Sequence, residues 1–427
     1  MNEFWGEVAE RLFADIRALS LDLDEGVTRE SYGKGETDTI VYLTDFASRQ
    51  GLNVTNDRAG NVIFMRGNDT GVPAIWYGSH LDSVPQGGNY DGLAGVIAGL
   101  ICLCRLDQDS VITSMPVRVI GLRGEESAWF GKSYIGSKAL TGGLTAEDLQ
   151  LKNRFSDISL GQAMQAVNAD VDAMCRQEWL MDRSQFAGYL EVHIEQAESL
   201  EHMGQPIGVV PGIRGNLRHN VVHCFGEDGH SGAVAREDRH DSVFAVSELI
   251  THIDNLWSEW VAAGKDLVVT VGTIGTNSAH HAVSRIPGDV SFSLELRSLY
   301  DETMEAFYDL IQYEARAIED VRQVRFVFDK RIDTSPAAMH QPWVETLQRH
   351  TKAQGGSGVL TPSGAGHDAA VFANAGVPSA MLFIRNQHGS HNPREAMRLE
   401  DFLLATETLY QATQELTSSH LLSRELI

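Results

Sequence analysis

Residues 74–106 read AIWYGSHLDSVPQGGNYDGLAGVIAGLICLCRL. The stretch opens on a short apolar run at 74–77, passes through a glycine-rich polar segment, and closes on a helical pattern at 92–106. Buried strand, polar loop and helix in that order are the start of an α/β domain. Two more apolar runs, at 117–122 and 379–384, have the length of buried strands, and 368–375 reads as a further helix. Ligand sites in open α/β sheets lie at the carboxyl ends of strands. The chemically suggestive residues of this chain stand just after these runs.

The rest of the composition sets limits. The 427 residues exceed one compact domain, and an apolar fraction of 43% allows a sizeable core. The net charge of -24, from 34 basic and 58 acidic side chains, argues against nucleic acid or an anionic membrane as a partner, because phosphate needs a basic face. Cys102, Cys104, Cys175 and Cys224 form no CxxC pair and read as reduced thiols. The first residues show no basic segment leading into an apolar one, and no apolar run is long enough to span a bilayer. The expectation is a cytoplasmic protein acting on a small molecule.

Between 213 and 330 the pattern changes. Strand-like runs at 218–225, 267–274, 290–296 and 323–329 enclose helical patterns at 241–262 and 301–318. The order β-α-β-β-α-β is ferredoxin-like, and because it closes on itself it reads as an insertion. The expected organisation is an outer domain, 1–212 joined to 331–427, with an inserted domain at 213–330. Gly212 and Gly215 supply permissive backbone at the junction.

Four clusters carry donor atoms. In Gly78-Ser79-His80-Leu81-Asp82, extended chain puts His80 and Asp82 on one side, so Asp82 can hold one imidazole nitrogen while the other binds a metal. Asp91, in the glycine-rich turn before the helix, can bridge two ions. In Gly124-Glu125-Glu126-Ser127, two adjacent carboxylates follow a strand and face different ways. One can bind a metal while the other takes the proton of a metal-bound water, whose pKa falls from about 15.7 to about 7. Glu191-Val192-His193-Ile194-Glu195-Gln196 alternates, so His193 shares a face with Glu191 and Glu195. His391 stands in the loop Gly389-Ser390-His391-Asn392-Pro393. Taken singly, each also reads as an ordinary hydrogen-bonded group. Taken together, imidazole with carboxylate suits zinc, manganese, cobalt or nickel.

The segments GSHLDSVPQGGNYDG, GEES, EVHIEQ, SGAGHDA and SHNPRE give the chain a resemblance. It resembles the dinuclear-metal amidohydrolases that include N-carbamoyl-L-amino-acid hydrolase, allantoate amidohydrolase and β-ureidopropionase, over nearly its whole length. The resemblance implies an α/β/α catalytic domain of the zinc-aminopeptidase type. An inserted ferredoxin-like α+β domain would serve as lid and make a homodimer. It further implies two divalent ions per subunit, zinc first, with His80 and His193 at one ion, Asp91 bridging, and Glu126 and His391 completing the other. Glu125 would be the general base and Asp82 would support His80. Arg218 and Arg297 align with arginines able to clamp a substrate carboxylate. His230 aligns with a histidine that steadies the oxyanion in the other subunit's site, and Gln196 joins the substrate contacts.

Two departures fall in the inserted region. Ala233-Val234-Ala235-Arg236 stands where the family has Thr-Thr-Pro-Met, and Ser284 where it often has a substrate-binding Asn. The implied reaction is hydrolysis of an N-carbamoyl amino acid or related ureido acid. The alternatives are cleavage of an N-acyl amino acid or dipeptide, and a binding protein that has lost catalysis. Loss of Glu125 or of a metal ligand would mark the last, and all of them are present.

Overall fold

The computed structural model describes residues 3–22, 25–67 and 71–418. The chain separates into two compact units. One is formed by the residues up to Pro211 together with those from Ala338 onward, and the other spans Gly212–Ala337.

The larger unit is built on a seven-stranded sheet. Its order is Asn53–Asn56, Val62–Met65, Val117–Leu122, Ala74–His80, Phe186–Ile194, Ser379–Ile384 and Ile207–Val210. The four strands from Val117–Leu122 to Ser379–Ile384 run parallel, and antiparallel strands flank them. All four are buried along their full length, which is why they read as continuous apolar runs rather than alternating ones. Helices cover both faces. Gly99 of the helix Leu93–Gln108 packs against Tyr77 and Val119. On the opposite side, Trp76 stacks on Phe186, which stacks on Phe372 of the helix Asp368–Asn374. Trp76 and Tyr77 alternate along one strand, so the two helices lie on opposite faces. The α/β/α layering follows.

The smaller unit has a sheet of order Val268–Thr270, Asp289–Ser298, Gly215–Phe225 and Arg325–Phe328, antiparallel throughout. Helices Ser242–Ala262 and Asp301–Arg322 pack on it. Leu249, Ile253, Phe307 and Ile311 meet Val290, Phe292, Leu294 and Leu296 in one core. This is the ferredoxin-like arrangement. The strand expected at 267–274 divides into Val268–Thr270 and Ile274–Thr276, both paired with Asp289–Ser298, because the Ser293 hydroxyl takes the backbone N–H of Gly272 and Thr273 between them. A bulge opposite Phe292–Leu294 exposes Asn220 and Val221 together and keeps both His219 and Val222 inward. Ile332–Thr334 pairs with Arg218–Asn216, so pairing continues beyond residue 330, and the unit ends at Ala337. Among the described residues, no helix is long and apolar enough to cross a membrane.

Candidate metal centre

Each strand of the parallel core delivers polar residues at its carboxyl end. His80 ends Ala74–His80, Glu125 and Glu126 follow Val117–Leu122, His193 is next to last in Phe186–Ile194, and the turn with Ser390 and His391 follows Ser379–Ile384. Asp91 arrives on the loop before the helix Leu93–Gln108. Its placement depends on Gly92, whose φ is 68° and where a Cβ would lie 2.5 Å from the His80 ring.

Two ligand groups share Asp91: His80, Asp91 and His193, and Asp91, Glu126 and His391. Asp91 Oδ1 stands 3.1 Å from His193 Nε2 and 3.5 Å from His80 Nε2. Asp91 Oδ2 stands 3.3 Å from His391 Nε2, which is also 3.3 Å from Glu126 Oε1. All the sequence-derived metal ligands therefore meet at one place. His80 Nδ1 lies 3.1 Å from the Asp82 carbonyl and His193 Nδ1 lies 2.8 Å from the Ile194 carbonyl. In the neutral ring a nitrogen facing a carbonyl carries the proton, which would leave each Nε2 able to take a cation on the Asp91 side.

The charges are concentrated, with His80, Asp91, Glu126 and His193 buried and His391 exposed. Burial favours the neutral form of the Asp91 carboxyl, yet His193, His391 and His80 hold it well below the usual range. Burial likewise opposes charge on His80, but Asp82, Asp91 and Glu125 outweigh it and raise its pKa well above the ordinary value. His391 is pushed up to about 11 by Asp91 and Glu126. For Glu125, burial is the main cause of a carboxyl held well above the usual range, with Glu126, Asp368 and Asp82 adding to it against His80. Cation-seeking chemistry fits this donor set. Asp91 Oδ1 is buried and has no hydrogen-bond partner among the described residues, although two imidazoles face it. A buried carboxylate oxygen facing two imidazole nitrogens is what a divalent cation would satisfy.

Supporting contacts extend beyond the sequence reading. Asp82 was expected to serve His80, and its Oδ1 lies 3.3 Å from His80 Nδ1. It also accepts the backbone N–H of Glu125 at 3.0 Å and of Glu126 at 3.1 Å, so one carboxylate sets both clusters. The Ser31 hydroxyl reaches Asp82 at 2.5 Å, and Ser390 lies 2.6 Å from Asp91 and 2.5 Å from Glu395. Gln196, expected as a substrate contact, donates to Asp91 Oδ2 at 3.0 Å from a backbone with φ 64°. Glu195 accepts the backbone N–H of Leu200 at 2.8 Å, a structural task. Glu191 accepts from Ser79 and from the backbone of Ala369, and it groups with His193 and with His367. His367 had no assigned role. Its ring lies 4.5 Å from that of His193, and burial with the neighbouring histidines holds it neutral. A histidine after a glycine-rich turn and just before a helix, the setting that singled out Asp91, was the available signal.

The remaining expected residues belong to the smaller unit. His230 pairs across a two-stranded ribbon with Arg285, and the Ser284 carbonyl accepts the Ser231 N–H at 2.9 Å. Arg297 grips Glu295 with two bonds of 3.0 Å, and exposed Arg218 stands opposite Glu295 in register. The arginines thus line one polar sheet face around a single carboxylate.

Residues 76–415 match the profile described as Peptidase family M20/M25/M40. Among curated relatives, an N-carbamoyl-L-amino acid amidohydrolase of Geobacillus stearothermophilus is 32% identical over 92% of this chain and 93% of its own. An allantoate amidohydrolase of Bacillus subtilis (strain 168) is 31% identical over 91% of this chain and 93% of its own. Among solved structures, a hydantoinase/carbamoylase family amidase from Burkholderia ambifaria superposes with a TM-score of 0.85 at 26% identity, covering 97% of this chain and 96% of that one.

Proposed function

The chain belongs to Peptidase family M20/M25/M40, and from that premise we propose that it hydrolyses a C–N bond of an N-carbamoyl amino acid or related ureido acid, using two divalent cations and Glu125. The observation that carries this reading is the pair of ligand groups sharing Asp91, with Glu125 beside them. The amidohydrolase relatives named above supply the substrate class. His80, Asp91 and His193 would hold one ion, and Asp91, Glu126 and His391 the other, with zinc first and manganese, cobalt or nickel as alternatives. When bound, the ions would supply Lewis-acid activation of water and of the scissile carbonyl.

The chain's own residues do the rest. A Glu125 carboxylate oxygen takes the proton of the attacking water and passes it to the departing amine nitrogen as that C–N bond breaks, which releases the free amine and carbamic acid, and the carbamic acid then breaks down to carbon dioxide and ammonia. Asp82 fixes His80 and the backbone of Glu125 at once. Arg297 or Arg218 would clamp the substrate carboxylate bidentately. Gln196 and Ser284 would touch the substrate, and His230 would steady the oxyanion from a neighbouring subunit of a homodimer.

The test is a panel of carbamoyl, formyl and acetyl amino acids offered to metal-reconstituted protein, scored for ammonia and free amine. Ammonia and amine appearing together from the carbamoyl compounds is the expected result. Turnover of acetyl compounds or dipeptides alone would transfer the reading to an N-acyl amidase or peptidase. Active enzyme free of transition metal on elemental analysis would overturn the metal centre itself.

A further inference from the structure

Arg29 is fully buried, far along the chain from every cluster above. Its surroundings show what it grips. Nε donates to the Leu81 carbonyl at 2.9 Å and Nη1 to Asn89 Oδ1 at 3.3 Å. Its backbone N–H goes to the Ser83 hydroxyl, and its carbonyl accepts the Ser83 N–H, both at 2.9 Å. Around it, Val27 and Gly87 exchange two backbone bonds, Gln86 N–H reaches Thr28, and the Ser31 hydroxyl reaches Asp82. The segment 27–31 therefore lies along the loop from Leu81 to Asn89, the loop that carries Asp82 and leads into Asp91. The guanidinium contacts both ends of that loop at once.

Its charge points the same way. Burial opposes the charge and lowers the Arg29 pKa, and the carboxylates that act against this are Glu395, Asp82, Asp91 and Glu126, which belong to the metal centre or its support. Nη2 is buried with no hydrogen-bond partner among the described residues, so the side chain keeps a donor that they do not use. Burying a cation with an unmet donor is costly, and a hydrocarbon of similar volume is commonly tolerated as well or better. A guanidinium held here at such cost fits a task other than packing.

We propose that Arg29 is a positioning residue of the metal centre: it braces the Leu81–Asn89 loop, adds a buried positive charge to it, and so holds Asp82 and Asp91 in place. It touches neither metal nor substrate. The inference rests on the metal-centre reading above and concerns what sets the affinity of that centre.

The experiment compares the parent protein with Arg29→Met and Arg29→Lys. Metal-free protein is titrated with zinc against a chromophoric chelator, cobalt-loaded protein is followed by its visible absorption, and KM and kcat are measured at saturating metal. Arg29→Met, folded by circular dichroism, should bind zinc about 10–100-fold more weakly, the range found for groups that orient ligands. Its cobalt spectrum should change, while KM stays near the parent value. Arg29→Lys should recover part of the affinity, because the charge returns without the fork that spans Leu81 and Asn89. A folded Arg29→Met that binds zinc as tightly as the parent, with the parent spectrum, overturns the proposal. If Arg29→Met does not fold, Arg29→Lys decides alone, and parent-like affinity in it overturns the proposal. A parent protein that binds no metal would instead fail the metal-centre reading, and this inference with it.

Discussion

Glu125 and Glu126 are adjacent in sequence and unlike in surroundings. Glu126 Oε1 faces His391 Nε2, whereas Glu125 belongs to neither ligand group around Asp91. Substituting each with Gln should therefore give different losses. Glu125→Gln should keep its metal and lose about 10²–10⁴-fold in turnover, the usual range for a removed general base. Glu126→Gln should bind metal more weakly, with activity returning as metal is added in excess. Metal analysis beside kcat distinguishes them, and near-normal turnover in Glu125→Gln would reverse the assignment. The pair was legible in the sequence because two carboxylates directly after a buried strand must face apart. The reach of Asp82 was only half legible. Its place beside His80 follows from alternation, but its bonds to the backbone of Glu125 and Glu126 depend on two parallel strands lying side by side, with His80 opposite Leu122.

The decisive element is the loop between Ala74–His80 and Leu93–Gln108. Its sequence already announced Asp91, and the glycine that follows has a definite physical duty. A side chain at position 92 would meet the His80 ring at 2.5 Å, on a backbone with φ 68° that L-residues rarely adopt. Gly92→Ala should lower the melting temperature, since alanine at positive φ costs roughly 1 kcal/mol or more. It should also loosen metal at the His80–Asp91–His193 group, which chelator competition would register. A variant with parent stability and parent affinity would contradict this account. What holds the loop from outside was not legible. Arg29 and Ser31 lie about fifty residues upstream and Glu395 about three hundred downstream, and no periodicity links them to Asp82 or Asp91. The strand break near Gly272 and the bulge at Asn220 were hidden for a similar reason, because both arise from cross-strand pairing rather than from local pattern.

At the scale of the whole molecule, the two units offer a test of the proposed shared site. His230 lies on the ribbon of the smaller unit and Glu125 in the larger one. His230→Ala should lower kcat by about 10²–10³-fold if it matches other single oxyanion donors. If it acts across a homodimer, mixing inactive His230→Ala with inactive Glu125→Gln should restore activity, because one site of each mixed dimer keeps both groups. Mixed dimers that stay as inactive as either parent would exclude the arrangement. The order of the larger sheet has a different consequence, one of timing during synthesis. Ser379–Ile384 lies between Phe186–Ile194 and Ile207–Val210, so those two strands remain without their shared neighbour until Ser379–Ile384 has been made. At roughly 5–20 residues per second that leaves an open sheet edge for about 10–40 s on the ribosome. The smaller unit has its full sequence well before then and can close first. His391 emerges later still, so the second ligand group is completed after the first. A message broken before codon 384 would yield a product whose bare strands invite aggregation.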